Sequence, residues 1–325
     1  MINRIILLLV TVFLANTFAK DKNTIVVAGP FASVSHPMIL MEKSEALKDL
    51  GFKVEFRLWK NPDELRALVL NSDVDFLAVP TNVAANLHNK GVNIKLLNVS
   101  VWGILGMVTR DKTLKTLKDF KGKEIVMPFR SDMPDIVFTQ LAKKQGLDIK
   151  KDFKLNYVAS PIDAMQMLVM RRVDHALLAE PAISIALRKT KSFPLKLVAP
   201  DLYRSADLQK EWGEVYKVEA KIPQASIAVL GEVKTKKELI QRFMKEYDKA
   251  LDWYKQNPVK ASEIIVETLP MLEKDGLSDS ISHVNLKSVK AIDAKDDLEF
   301  FFGVLKENNP KLIGGKLPQD SFYYN

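Results

Sequence analysis

A pattern that occurs twice constrains this chain more than any other feature. The first copy runs Leu68-Val69-Leu70-Asn71-Ser72-Asp73-Val74-Asp75-Phe76-Leu77-Ala78-Val79-Pro80. The second runs Leu168-Val169-Met170-Arg171-Arg172-Val173-Asp174-His175-Ala176-Leu177-Leu178-Ala179-Glu180-Pro181. Each reads as the end of an apolar helix, a Val-Asp step, a short buried strand and a proline that opens another helix. Around both copies strands alternate with helices, which argues for mainly parallel sheets flanked by helices. The expectation is an α/β chain of two lobes, with helix entrances facing a shared cleft. That geometry suits a protein that closes on a small ligand.

Local signals support the pattern. Asn61-Pro62-Asp63-Glu64 and Ser160-Pro161-Ile162-Asp163 are helix starts, each with a capping side chain, a proline at the first position and an acid in the first turn. Residues 53–59 alternate as a strand does. Residues 202–221 read as an irregular, polar surface excursion. From Lys236 onward the chain looks helical, with an amphipathic stretch over 238–254 ended by Asn257-Pro258.

The first residues read as a leader rather than as fold. A basic start at Arg4 precedes an apolar run over residues 5–15, and Thr17-Phe18-Ala19 offers small residues where cleavage needs them. We expect a signal peptide over residues 1–19, cleaved after Ala19, and an exported, periplasmic protein. The remaining ~300 residues suit two lobes better than one core. There are no cysteines, which excludes disulfides, thiol nucleophiles and lipid attachment at a cysteine. The net charge of +8 is spread among acids, with no basic stripe interleaved with aromatics, so nucleic acid is not an expected partner.

Further residues carry a family resemblance. The run Leu117-Lys118-Asp119-Phe120-Lys121-Gly122-Lys123-Glu124-Ile125-Val126, the stretch from Ser160-Pro161 through Leu168, and Arg172-Val173-Asp174 through Glu180-Pro181 resemble periplasmic solute-binding proteins of the nitrate/sulfonate/taurine type, a group that includes thiamine-pyrimidine binders. Phe243 through Tyr254 resembles the closing helix of that family. The resemblance implies the two-lobed, type II periplasmic-binding-protein fold, two crossover strands, and ligand in the interlobe cleft. It also implies delivery of a small organic solute, either a sulfonate-, taurine- or nitrate-like anion or an aromatic heterocycle, to the membrane permease of an ABC importer. The expected division is residues 20–110 with 222–325 for the first lobe and 111–221 for the second. The crossovers fall near Thr109-Arg110 and over residues 221–224. The binding protein itself is expected to be a monomer that meets its permease transiently.

Candidate ligand contacts come from loops after strands, where helix N-termini present free N–H groups to anions or polar edges. In residues 29–36, Phe31 can stack while Ser33 and Ser35 can donate or accept. Thr81 and Asn82 open a helix after Pro80. Trp102 offers a flat face at a strand end, or serves as a core residue at the lobe junction. Arg130, with Ser131 beside it, is the cation of these loops and could grip a carboxylate or sulfonate. Asp132 reads as a helix cap. Glu180 is the family's cleft glutamate under the resemblance, or a structural acceptor of backbone N–H groups. Gln224 lies near the return crossover.

Two other classes compete. An enzyme on the same bilobal fold is possible in principle. However, a pyrimidine-forming relative uses a cysteine cluster that is impossible here, and His36, His88, His175 and His283 lack zinc-site spacing. We expect neither catalysis nor a cofactor. A copper-binding role would draw on His36, Met38 and Met41, with Met127 and Met133 near the cleft. Eleven methionines in an apolar chain are more simply core fillers.

Overall fold

A computed structural model describes residues 23–198 and 201–325. The expected leader and its cleavage site lie outside the described residues. Eleven strands follow in chain order: β1 Thr24–Gly29, β2 Lys53–Leu58, β3 Phe76–Pro80, β4 Ile94–Gly103, β5 Leu105–Thr109, β6 Glu124–Pro128, β7 Lys154–Val158, β8 His175–Ala179, β9 Tyr203–Asp207, β10 Ala225–Leu230 and β11 Asn285–Lys290. They form two sheets, β11-β4-β10-β3-β1-β2 and β7-β6-β8-β5-β9, both flanked by helices.

The repeated sequence becomes repeated topology. Its first copy supplies the end of the helix Pro62–Leu70, then β3 and the helix Thr81–Asn89. Its second supplies the end of the helix Pro161–Val169, then β8 and the helix Ala182–Lys191. β3 sits beside β1 as β8 sits beside β6, and β2 and β7 are the matching edges. The two aspartates of the Val-Asp steps diverge. Asp75 is buried and its carboxylate accepts the Val26 N–H at 2.8 Å, which ties the step to β1. The Asp174 side chain is largely exposed.

Parallel pairing runs through β2-β1-β3 and through β7-β6-β8. The other pairings are antiparallel, which departs from a mainly parallel arrangement. The reason is connectivity: β5 and β10 each follow directly on a passage between the sheets and lie against the direction of the βαβ strands, whereas β4 runs with them. The first crossover is also one strand earlier than Thr109-Arg110. β4 and β5 are separated only by Ile104, and β5 already pairs in the second sheet. Gly103 is required there, because a Cβ would collide with the Gln209 side chain. Two glutamines brace the switch. Gln224 Oε1 accepts the Ile104 N–H at 2.8 Å, and Gln209 Oε1 accepts the Leu105 N–H at 3.1 Å.

Residues 202–221 are ordered into β9 and the helix Leu208–Tyr216, not an irregular excursion. Asp207 caps that helix, its carboxylate accepting the Gln209 and Lys210 N–H groups at 2.9 and 3.1 Å. Leu208 and Trp212, four apart, bury one face.

Apolar side chains alternate along each strand and so fill two cores, one on each face of the sheets. One contains Val26, Leu77, Phe120, Ile125, Trp212 and Phe301. The other contains Val27, Phe76, Val126, Ala164, Met165 and Phe243. Both extend across both sheets. The expected amphipathic helix, Lys237–Gln256, buries Leu239, Ile240, Phe243, Tyr247, Leu251 and Tyr254, and Phe243 stacks on Phe76 with ring centroids 3.7 Å apart. The C-terminal segment reaches the second sheet twice. The helix Lys274–Ser280 lies against the helix Ala182–Lys191 so closely that a Cβ on Gly276 would come within 2.7 Å of Ile185 Cα. Beside this contact, Arg188 pairs with Asp275 and Asp279 at 3.5 and 3.4 Å. On the other side Phe301, from the helix Lys295–Asn308, meets Trp212 edge to face at 5.6 Å.

The helix Pro62–Leu70 starts as its sequence dictates. Asn61 Oδ1 accepts the N–H groups of Asp63 and Glu64, both at 3.0 Å. Asn61→Ala removes this cap and is expected to lower stability by about 1 kcal/mol, read as a shift of the urea midpoint at unchanged slope.

Candidate ligand cleft

The carboxyl ends of the parallel strands in the two sheets converge on one cavity. From the first sheet come the loop after β1 (Pro30, Phe31), the end of β2 (Trp59) and the end of β3 (Val79, Pro80). From the second come the end of β6 (Pro128, Phe129), the start of the helix Met133–Lys144 and Ala179 at the end of β8. Ile104 and Leu105 line it at the first crossover, Gln224 and Ala225 at the return. Its volume is about 110 Å³.

The wall is apolar, and the sequence explains why. Pro30, Pro62, Pro80, Pro128, Pro134 and Pro161 all line it. A proline carries no N–H, so a helix entrance that contains one offers fewer donors. The remaining donors are largely claimed by the chain itself. Asn61 caps one entrance, Asp132 accepts the Met133 N–H at 2.8 Å, and Ser160 Oγ accepts the Asp163 N–H at 3.2 Å. Of the entrances expected to present N–H groups to an anion, the one at Asp132 is capped by its own side chain and the Thr81 N–H is taken by the Gln224 carbonyl at 3.2 Å, while the helices His36–Lys43, Thr81–Asn89 and Ala182–Lys191 start without a capping hydrogen bond from the N-cap side chain.

The expected ligand contacts divide. Phe31 and Gln224 line the cavity. Ser33 and Ser35 are buried beneath the loop after β1, with Ser35 packed on Gly29, where a Cβ would strike its hydroxyl. Thr81 Oγ1 donates to the Pro223 carbonyl at 2.5 Å, tying β3 to the return crossover. Asn82 and Ser131 border a neighbouring hollow that shares Arg66, Val83 and Asp132 with the cavity. Trp102 is a core residue at the junction, as its alternative reading allowed. Its Nε1–H donates to the Lys287 carbonyl at 2.8 Å and Lys221 Nζ lies 5.2 Å from its ring centre.

Arg130 is turned away from the cavity. Phe129 and Ser131 both adopt left-handed backbone, at φ 61° and 63°. For non-glycine residues this costs about 1–2 kcal/mol each. The double reversal keeps Phe129 on the cavity wall and lays the exposed Arg130 over the Tyr157 ring, with Cζ 5.4 Å from its centre. The Tyr157 hydroxyl donates to Asp135 at 2.9 Å, and burial together with that carboxylate pushes its pKa up. Glu180 is 1 % exposed and absent from the cavity wall. One carboxylate oxygen pairs with Arg204 Nη1, and the other accepts the Ser184 N–H at 3.1 Å. Arg204 also donates to Ser184 Oγ at 2.5 Å.

Charge in the wall is confined to Lys60, Arg66 and Asp132. Lys60 and Arg66 are exposed, and Arg66 is held by Asp63 at 2.7 Å. Asp132 is buried, and burial raises its pKa. The cap role expected for it is what the hydrogen bond to Met133 provides. Gln224 is 2 % exposed. Its Oε1 is used at Ile104, but Nε2 has no hydrogen-bond partner. A buried donor left unsatisfied costs about 1–3 kcal/mol.

Sequence reasoning overlooked Trp59, which lies at a strand end just before the Asn61-Pro62 cap. The rule that selected the other loops applied to it equally. It lines the cavity, and its Nε1–H donates to the Ala78 carbonyl at 3.2 Å. Among the residues considered for copper, Met38 and Met41 lie in the apolar core, and His36 Nδ1 bonds the Tyr254 hydroxyl at 2.8 Å. Among the described residues no three His, Cys, Asp or Glu side chains cluster as metal ligands, and no helix is long and apolar enough to cross a membrane.

A family model described as NMT1/THI5 like matches residues 47–261. No curated protein matches the chain. The fold is similar to that of three solved structures. One is an ABC transporter protein from Parabacteroides distasonis, 24% identical with a TM-score of 0.74, over 93% of this chain and 99% of that one. Another is the periplasmic aliphatic sulphonate binding protein SsuA from Escherichia coli, 15% identical with a TM-score of 0.65, over 93% and 99%. The third is the periplasmic nitrate-binding protein NrtA from Synechocystis PCC 6803, 13% identical with a TM-score of 0.69, over 92% and 87%.

Proposed function

This chain belongs to the NMT1/THI5-like family, and from that premise we propose that it is the solute-binding component of an ABC-type importer. It captures a small organic molecule between its two sheets and presents it to a membrane permease. The observation that carries this reading is the single cavity built jointly by strand ends of both sheets and by both crossovers. A ligand there touches both halves at once, so its binding favours the arrangement in which they are closed. The lobes divide at Ile104 and over residues 217–224, where single strands and braced loops link the sheets. The chain is exported to the periplasm as a monomer, with residues 1–19 removed. The reading is one of capture and release, in which the groups that line the cavity bind and orient the solute.

The test is native purification followed by mass spectrometry of whatever the protein retains, then return of that molecule to stripped protein. Saturation is expected to shrink the radius of gyration in small-angle scattering. It is also expected to raise the melting temperature, with about 2.7 kcal/mol of added stability at one hundred times Kd. A retained molecule that is converted to product, or one that stabilises without compaction, would refute capture by closure.

A further inference from the structure

We infer that the captured solute is an uncharged, mainly apolar molecule of about one ring in size, with a hydrogen-bond acceptor that meets Gln224 Nε2; this rests on the solute-capture reading above. Four observations lead there. First, the wall holds no buried cation: Lys60 and Arg66 are exposed at its edge, and Arg130 lies over Tyr157 instead. The buried charged group in the wall is Asp132, whose carboxylate repels an anion. Desolvating an anion without a partner is prohibitive in such a site.

Second, the entrances of the helices Pro62–Leu70, Met133–Lys144 and Pro161–Val169 carry prolines and side-chain caps, and the Thr81 N–H at the entrance after β3 is taken by the Gln224 carbonyl at 3.2 Å, which leaves fewer N–H groups for an oxyanion. Third, Gln224 is fully engaged on one side only. Its oxygen is fixed by the Ile104 N–H, which orients the amide and leaves Nε2 as an unused donor beside the cavity. An acceptor on the solute would satisfy it. Fourth, the volume of about 110 Å³ is close to the ~150 Å³ of an apolar cavity known to hold benzene.

The full chain, stripped of retained molecules, is titrated by ligand-observed NMR with four probes. Cyclohexanone supplies a neutral ring with an acceptor, and methylenecyclohexane is its isostere without one. Ethanesulfonate and nitrate supply the anions. Cyclohexanone is expected to bind saturably and about tenfold more tightly than methylenecyclohexane, with no saturable anion binding. Gln224→Met is expected to erase the gap between the two rings, and Ala179→Phe, which fills the cavity from β8, to abolish binding of both. The comparison of the two rings on the unaltered chain stands even if Gln224→Met fails to fold. Equal affinity for the two rings, or no saturable binding of either, would overturn the inference. Saturable ethanesulfonate binding that disappears in Ala179→Phe would overturn it while leaving solute capture intact. A retained molecule that binds undiminished to Ala179→Phe would overturn both readings.

Discussion

Lowering the pH below 6.5 is expected to destabilise this protein through one buried imidazole, by up to about 1.4 kcal/mol per pH unit. His36 opens the helix His36–Lys43 and is wholly enclosed, with Nδ1 at 2.8 Å from the Tyr254 hydroxyl and the two rings edge to face at 5.3 Å. Burial drives its pKa from 6.5 to about 3. Because the folded value lies below the unfolded one, the unfolded chain takes up the proton first. Stability is unaffected above the unfolded value, falls as pH drops through 6.5, and stops falling from this source near pH 3. Urea melts at pH 7.5, 6.5, 5.5 and 4.5 measure the slope, and His36→Gln should flatten it. His175 leaves a smaller slope of the same sign, since burial lowers its pKa too. The carboxylates held low by hydrogen bonds, such as Asp119, act only nearer their own range, whereas Asp132 and Asp248, raised by burial, oppose the histidines, so the comparison with His36→Gln is what isolates His36. An unchanged slope in His36→Gln would assign the effect elsewhere. The loop that carries Phe31 onto the cavity wall ends at His36, so acid is expected to loosen the ligand site early in this loss.

The second large effect concerns Glu180. Arg204→Met strands a carboxylate that is 1 % exposed. Breaking one side of a buried pair costs about 3–5 kcal/mol. The Arg204 side chain is 31% exposed, so screening reduces the expected loss to about 2–4 kcal/mol. Adding Glu180→Gln should recover most of it, because the neutral amide no longer needs a counter-charge. The double variant should also bind the retained solute as the unaltered protein does, since neither residue lines the cavity. A double variant as unstable as Arg204→Met alone would mean that the loss comes from packing of the arginine stem. A double variant that folds but loses the solute would return Glu180 to the binding site.

These outcomes turn on features that differ in how far sequence reveals them. The repeat, the two sheets and the capped helices were legible because periodicity and punctuation are local. Asn61-Pro62 and Ser160-Pro161 behave as their residue types require. The division at Arg110 missed by one strand because β4 and β5 follow each other along the chain, and only partners distant in sequence assign them to different sheets. The polar stretch over residues 202–221 concealed β9 and a helix because its buried face is sparse, essentially Leu208 and Trp212. Arg130 was misdirected for a different reason. Phe129 and Ser131 are neither glycine nor asparagine, so nothing in the sequence signals the two left-handed residues that turn the arginine outward. The prolines around the cavity were visible, but Pro62, Pro80 and Pro161 were read only as helix openers. That each also removes a donor from the cleft follows only once they are seen to share one wall.

The position of β10 has a consequence for the order in which the molecule can mature. In the first sheet β10 lies between β4 and β3, yet it is made more than a hundred residues after β4. At roughly 5–20 residues per second, synthesis leaves β3 and β4 without their common neighbour for on the order of ten seconds. During that interval both expose unpaired backbone along one edge, and the first sheet can only close around a strand arriving from far along the chain. Pairings so distant in sequence make for slow folding. The first sheet therefore stays open between β3 and β4 until the last third of the chain begins to emerge, which leaves a period in which a chaperone or a translocation channel can engage it before the sheet closes.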